Sequence, residues 1–263
     1  MTEPAKQINA QEAIDLWLEV PRREISARGR RILEQGRTEL VPFDDIELPL
    51  TQWGNEAHPL VLLMHGWGGN RAQLGAFVEP LLEAGFRAAA FDAPAHGDAP
   101  GTHTNVFQIT TALWEVLKRI GQPQAVIAHS LGTMALNVAL QRGLKPEKVV
   151  LSGAMRRLSD AFDPFIKLNN LSEDVHEKVD IAMRERFGED AWEVTSLDLQ
   201  LPKFDIPALL FHDKQDEVTP YVSSVAVARA WKSAKLITTD GLGHRLILHD
   251  PDVIRKTVEF LKE

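Results

Sequence analysis

The chain has 263 residues, 44% of them hydrophobic and 25% charged, the balance of an ordinary soluble globular protein with room for a sizeable core. Its net charge of -8 argues against a nucleic-acid surface, and the absence of cysteine excludes disulfides, thiolate nucleophiles and cysteine metal sites. No apolar run approaches the roughly 20 residues of a membrane span, and Met1 to Gln7 lacks the basic start and apolar core of a signal peptide; the expectation is a cytoplasmic protein.

Residues 1–38 are charged and helical in pattern, with one apolar stripe (Ala13, Leu16, Trp17, Val20) that Pro21 interrupts and that Ser26 to Gln35 can resume. The stripe carries no recognisable chemistry. Packing against the main domain is its expected role, with Trp17 as a core anchor. From Thr38 the pattern turns to strands: a hairpin around Asp44-Asp45, then the unbroken apolar run Leu60 to Met64 of a strand buried on both faces. His65-Gly66-Trp67-Gly68-Gly69 follows, and a helix is expected over Ala72 to Glu83. Next come a strand at Arg87 to Phe91, the loop Asp92-Ala93-Pro94-Ala95-His96-Gly97, and a helix from Thr104 closed by Gly121.

Ala125 to Ala135 is the centre of the pattern. A β-branched run ends in Ala128-His129-Ser130-Leu131-Gly132 and passes straight into a helix, which is the form of a nucleophile elbow. The turn is so sharp that residues two before and two after the serine must be nearly without side chain. Further strands are expected at Lys148 to Leu151, Ile206 to Phe211 and Lys235 to Thr238. A helix spans Tyr221 to Trp231, and another starts at the capping pair Asp250-Pro251. Residues 154–202 break the alternation. Leu158, Ala161, Phe162, Phe165 and Ile166 make one helical face, and Val175, Val179, Met183 and Phe187 make another, which Ser172 is placed to cap. Strands alternating with helices imply an α/β fold with a mostly parallel central sheet covered on both faces.

On the loop after Met64, the Asp92 loop and the elbow, the chain from about residue 38 onward resembles the α/β-hydrolase fold, its bacterial serine esterase and lipase-like branch in particular. The resemblance implies an N-terminal extension (1–38), a hydrolase core (39–153 and 203–263) and a small helical lid (154–202) inserted before the penultimate strand. It also implies an acid after that strand and a histidine after the last one. In Phe211 to Pro220 the acid is expected at Asp216, with Asp213 and Glu217 as rivals; Asp213 lies nearer the strand, where it shapes the turn. The histidine is expected at His244, in Gly241-Leu242-Gly243-His244, ahead of His249, which borders a helix.

The expected catalytic set is therefore Ser130, His244 and Asp216. Oxyanion donors are the Leu131 amide and, by resemblance, that of Trp67. Trp67, His96, Phe162 and Phe165 are the candidate pocket residues. His65 and His129 are expected to hold backbone groups, and Asp92 to tie backbone amides together. No spacing among His65, His96, His103 and His129 matches a zinc site, so neither a metal nor a cofactor is expected. The implied activity is hydrolysis of carboxylic esters with small or medium acyl groups through an acyl-enzyme. Thioesterase, lactonase, amidase and perhydrolase chemistry are alternatives, as is a triad-bearing sensor with little turnover. A small-molecule ester is the expected partner.

Overall fold

The computed structural model describes residues 5–263; Met1 to Pro4, at the start of the expected N-terminal extension, lie outside the described residues. Two short helices come first, Ala10–Leu18 (α1) and Ala27–Glu34 (α2). Asn9 and Glu12 close α1 with a reciprocal capping box, both bonds at 2.9 Å, and the Ser26 hydroxyl caps α2. Pro21 falls between them, in an extended stretch of chain with no room for a continuous helix.

Arg37–Phe43 (β1) and Ile46–Trp53 (β2) form the expected antiparallel hairpin, with Phe43 opposite Ile46. Leu60–Met64 (β3) is buried along its whole length. The helix expected from Ala72 is shorter than the sequence pattern implies. A turn of 3-10 helix over Gly75–Phe77 precedes Val78–Glu83 (α3), because turns at Asn70, Ala72 and Leu74 take up the start of the segment. Arg87–Phe91 (β4) leads through the Asp92 loop to Val106–Ile120 (α4), which starts two residues after Thr104 because Asn105 caps it: the Asn105 side chain accepts from the Gln108 amide. Ala125–His129 (β5), Leu131–Gln141 (α5) and Lys148–Ser152 (β6) follow.

Between β6 and the next strand stand Phe162–Leu168 (α6), Val175–Phe187 (α7), Ala191–Thr195 (α8) and Leu197–Gln200 (α9). Asp174, not Ser172, occupies the cap of α7, and the Ser172 hydroxyl donates to the Asp174 carboxylate instead. The chain then completes the sheet with Ala208–Asp213 (β7), Tyr221–Ala230 (α10) and Ala234–Thr239 (β8), and ends in Gly243–Leu246 (α11) and Pro251–Lys262 (α12). Asp250 caps α12 through the amides of Asp252 and Val253.

The eight strands form one sheet in the order β1-β2-β4-β3-β5-β6-β7-β8, antiparallel across β1, β2 and β4 and parallel from β4 onward. Apolar clusters fill both faces. One gathers α4 and α5 over Leu62, Val126 and Leu151; the other gathers α3 and α12 over Leu63, Ile127 and Phe211. A third cluster lies away from the sheet. In it α1 packs through Ala13, Ile14 and Leu18 against Val175, Val179 and Met183 of α7 and Phe162 of α6. The N-terminal helix therefore belongs to the helical insertion and not to the sheet, because its stripe matches an apolar face that α6 and α7 leave uncovered. Among the described residues no helix is long and apolar enough to cross a membrane.

Candidate active site

Parallel strands deliver their following loops to one edge of the sheet, and β3, β5, β7 and β8 deliver the candidate residues there. At the end of β5, Ser130 adopts φ 52 and ψ -124, a conformation rare for a residue with a side chain. Its backbone is fixed by the Ser130 N–H donating to Ser152 (2.9 Å) and by the amide and hydroxyl of Thr133 donating to the Ser130 carbonyl (2.9 and 2.6 Å). The small residues around it answer to β3. A methyl at Gly132 would stand 2.7 Å from the His65 carbonyl and 2.8 Å from that of Met64, and one at Gly66 would stand 2.8 Å from Ser130 Cβ. Ala128 sits directly between Met64 and Leu151 in the sheet, and its methyl fits there. Gly132→Ala is accordingly expected to cost about 3 kcal/mol, because two backbone carbonyls must retreat. A denaturant melt within 1 kcal/mol of the parent would show that the approach is looser than this.

After β7, Asp216 is almost completely enclosed. One carboxylate oxygen accepts from the Val218 and Thr219 amides (2.9 and 2.8 Å). The other accepts from His244 Nδ1 (2.7 Å) and the Thr219 hydroxyl (3.0 Å). A second histidine, His212, stands 3.3 Å from the same oxygen. Its Nε2 donates to the Thr219 carbonyl at 2.8 Å, which leaves Nδ1 to accept from the Ser224 hydroxyl at 2.6 Å. Burial by itself raises the Asp216 pKa; the hydrogen bonds from His212, His244 and the Thr219 amide outweigh it and hold the carboxyl well below the usual range. Asp213 does what a turn residue does, accepting from the Gln215 amide, the Thr239 hydroxyl and the Leu242 amide. His244 is pinned by Asp216, packs against the His129 ring at 4.5 Å between centroids, and lies against Gly153, whose φ of +57 leaves no side chain in the way.

Ser130, Leu131, Trp67 and His244 line one cavity of about 920 Å³, near the upper end for small-molecule sites. The Trp67 and Leu131 N–H groups have no acceptor among the described residues. Phe165 is on the lining; His96 and Phe162 are not. His96 is buried beneath the Trp67 loop, its Nδ1 on the Pro94 carbonyl and its ring 5.2 Å from that of Trp67. Phe162 faces the third cluster, against Trp17 and Trp192. His65 does hold backbone: Nε2 accepts from the Ala93 amide and Nδ1 donates to the Gly66 carbonyl.

Besides His212, two contributors carry no signal of this role in the sequence. Arg71 is buried against Asp92, whose carboxylate also accepts from the Arg71 and Asp98 amides (2.6 and 2.9 Å); Arg71 reaches Asp98 at 2.9 Å, and Asp98 is in turn held by both guanidinium nitrogens of Arg30 on α2. A side chain at Gly97 would stand 2.4 Å from the Asp92 carboxylate. The N-terminal arm is the second. Leu16 to Gly29 supplies much of one cavity wall, and Trp17 both packs edge-on against Phe165 and faces the cavity. The arm is held over the site by Arg22, whose guanidinium donates to the Ala99 and Gly101 carbonyls (2.6 and 2.7 Å), and by backbone bonds from Val20 to Thr102 and from Thr104 to Leu18.

The sequence profile of the family described as "Alpha/beta hydrolase family" matches residues 60–257. A pimeloyl-[acyl-carrier protein] methyl ester esterase of Neisseria meningitidis is 36% identical over 104 residues, 39% of this chain and 40% of that protein, so the match spans less than half of the relative. A bifunctional esterase/perhydrolase of Acinetobacter calcoaceticus is 23% identical over 261 residues, 81% of this chain and 95% of its own. Among solved structures, a putative lipase from Acinetobacter baumannii superposes with a TM-score of 0.67 at 17% identity, covering 99% of this chain and 98% of that one. An esterase from Exiguobacterium antarcticum gives 0.67 at 18% identity, covering 86% and 100%.

Proposed function

The chain belongs to the alpha/beta hydrolase family, and from that premise we propose that it is a carboxylic-ester hydrolase working through Ser130, His244 and Asp216. The observation that carries the reading is the ordered chain of contacts at one cavity. A buried, ionised Asp216 holds His244 Nδ1 at 2.7 Å, and His244 shares the cavity with a serine on a strained elbow. The esterases among the relatives support the substrate class.

With Nδ1 committed to Asp216, His244 has Nε2 for the Ser130 proton. Ser130 Oγ attacks the acyl carbonyl, and the tetrahedral oxyanion is stabilised by the N–H groups of Leu131 and Trp67. His244 Nε2 then protonates the departing alkoxide. Water, deprotonated by the same nitrogen, attacks the acyl-enzyme and releases the acid. Asp216 fixes the tautomer and faces the imidazolium that forms. The helices between β6 and β7 act as the lid, with α1 as part of it, and the cavity volume supports acyl groups at the medium end of the expected range.

A fluorophosphonate probe tests the reading without a guess at the substrate, since it phosphonylates only an activated serine. Mass spectrometry of the labelled peptides is expected to place the adduct on Ser130 and to find none in Ser130→Ala. Folded wild-type protein that stays unlabelled would overturn the proposal.

A further inference from the structure

The inner wall of the cavity is apolar, made by Trp17, Ile25, Met155, Leu158, Phe165 and Met183. Its rim differs. Arg23 and Arg28 from the arm and Arg245, next to His244, all line it, and all three are exposed. Arginines that hold the fold together are paired: Arg30 with Asp98, Arg71 with Asp92, Arg157 with Asp198. The guanidinium groups of the three rim arginines make no ion pair or hydrogen bond among the described residues, in a chain whose net charge is -8. The cations act on one another. Partial burial and then Arg245 hold the Arg23 guanidinium below its usual pKa, and burial and then Arg28 do the same to His249, also on the lining. Three acids share the lining: Asp160 is taken by Arg156 at 3.3 Å, and Glu19 and Glu24 make no ion pair with the three arginines. Unpaired guanidinium groups at the entrance of an apolar cavity are free to meet an arriving anion.

We propose that Arg23, Arg28 and Arg245 form an anion-binding rim, and that the substrate is an ester carrying a second, negatively charged group, a carboxylate or a phosphate, remote from the scissile bond. The inference rests on the serine-hydrolase reading above. The apolar wall takes the hydrocarbon between the two ends, and the rim selects for the charge. These arginines are specificity-determining residues and take no part in the bond-breaking steps.

The test uses p-nitrophenyl esters in matched pairs. Half-esters of dicarboxylic acids of six to ten carbons are compared with esters of monocarboxylic acids of equal length, and a phosphate-ended series runs in parallel. In wild type, kcat/KM is expected to favour the charged member. In Arg23→Gln/Arg28→Gln the charged-to-neutral ratio falls about fivefold, the scale of two partly exposed charge contacts. Arg23→Lys/Arg28→Lys restores most of it, and 0.5 M salt compresses it. The carboxylate- and phosphate-ended series identify which anion the rim prefers. An unchanged ratio in the glutamine variant overturns the rim and leaves the esterase intact. Calorimetry of the free dicarboxylates and alkyl phosphates on Ser130→Ala reads the rim without turnover. Arginine-dependent binding with no hydrolysis by wild type would retain the rim and overturn the esterase.

Discussion

Ser130→Ala is expected to lower kcat by about 10⁵- to 10⁶-fold while leaving the fold in place, the scale seen when a nucleophile that acts as a unit with its base is removed. The residual rate comes from the Leu131 and Trp67 amides and the cavity, which the substitution does not touch. Alanine keeps the Cβ, so it also keeps the strain of φ 52. Glycine at the same position relieves it. Ser130→Gly should therefore be as inactive as the alanine variant but more stable than it by about 1 kcal/mol, the strain released less the extra freedom glycine gives the unfolded chain. Steady-state kinetics and paired denaturant melts check both halves. An alanine variant that retained a hundredth of the parent kcat would remove Ser130 from the mechanism.

Acid is expected to unfold this protein unusually steeply. Of the histidines buried around the site, three resist protonation: His65, lowered to about 4 by burial, and His96 and His129, each lowered to about 3 by burial with a neighbouring histidine adding to it, His65 for the first and His244 for the second. The ring nitrogens explain the resistance. His65 Nε2 must accept from the Ala93 amide, and Nε2 of His96 and of His129 has no hydrogen-bonding partner to receive a new proton's charge. Above the unfolded value of 6.5 both states are neutral and the stability is fully present. As pH falls, the unfolded chain takes up three protons that the folded protein refuses until it reaches about 4 to 3. Three protons amount to about 4 kcal/mol lost per pH unit across that window, or about 6 kcal/mol by pH 5 and about 10 by pH 4, comparable to an ordinary stability of about 5–15 kcal/mol. Urea melts between pH 7 and pH 5 measure the slope, and His96→Gln should reduce it by about a third. Constant stability down to pH 5 would mean that the rings are solvated.

What could be read from the chain alone follows from which forces are local. β3 and β5 were legible because a strand buried on both faces is a bare apolar run, and α12 because Asp250-Pro251 is a cap by itself. The placement of Ser130, Asp216 and His244 at one edge of the sheet was legible because each follows a parallel strand. Asp216 is preferred over Asp213 by its distance from the strand, and the two bond differently, one to His244 and the other to its own turn. Arg71 and His212 gave no usable signal. Their partners Asp92 and Asp216 are fixed by loop paths, and a four-residue spacing on a loop carries none of the geometry it has on a helix. The arm shows the same limit more plainly. Periodicity marks Ala13, Trp17 and their neighbours as an apolar stripe, but it does not name the surface that the stripe meets, which for Ala10–Leu18 is the face of α6 and α7.

That docking sets a schedule for synthesis. Residues Ala10–Leu18 leave the ribosome about 160 residues before Val175–Phe187, which at about 5–20 residues per second is a delay of roughly 10–30 s. During that interval Ile14, Trp17 and Leu18 have no surface to bury against. The segment finds its partner only after about 160 further residues have emerged, and until then the nascent chain carries an uncovered apolar stripe, a natural target for the holding chaperones that meet chains at the exit tunnel.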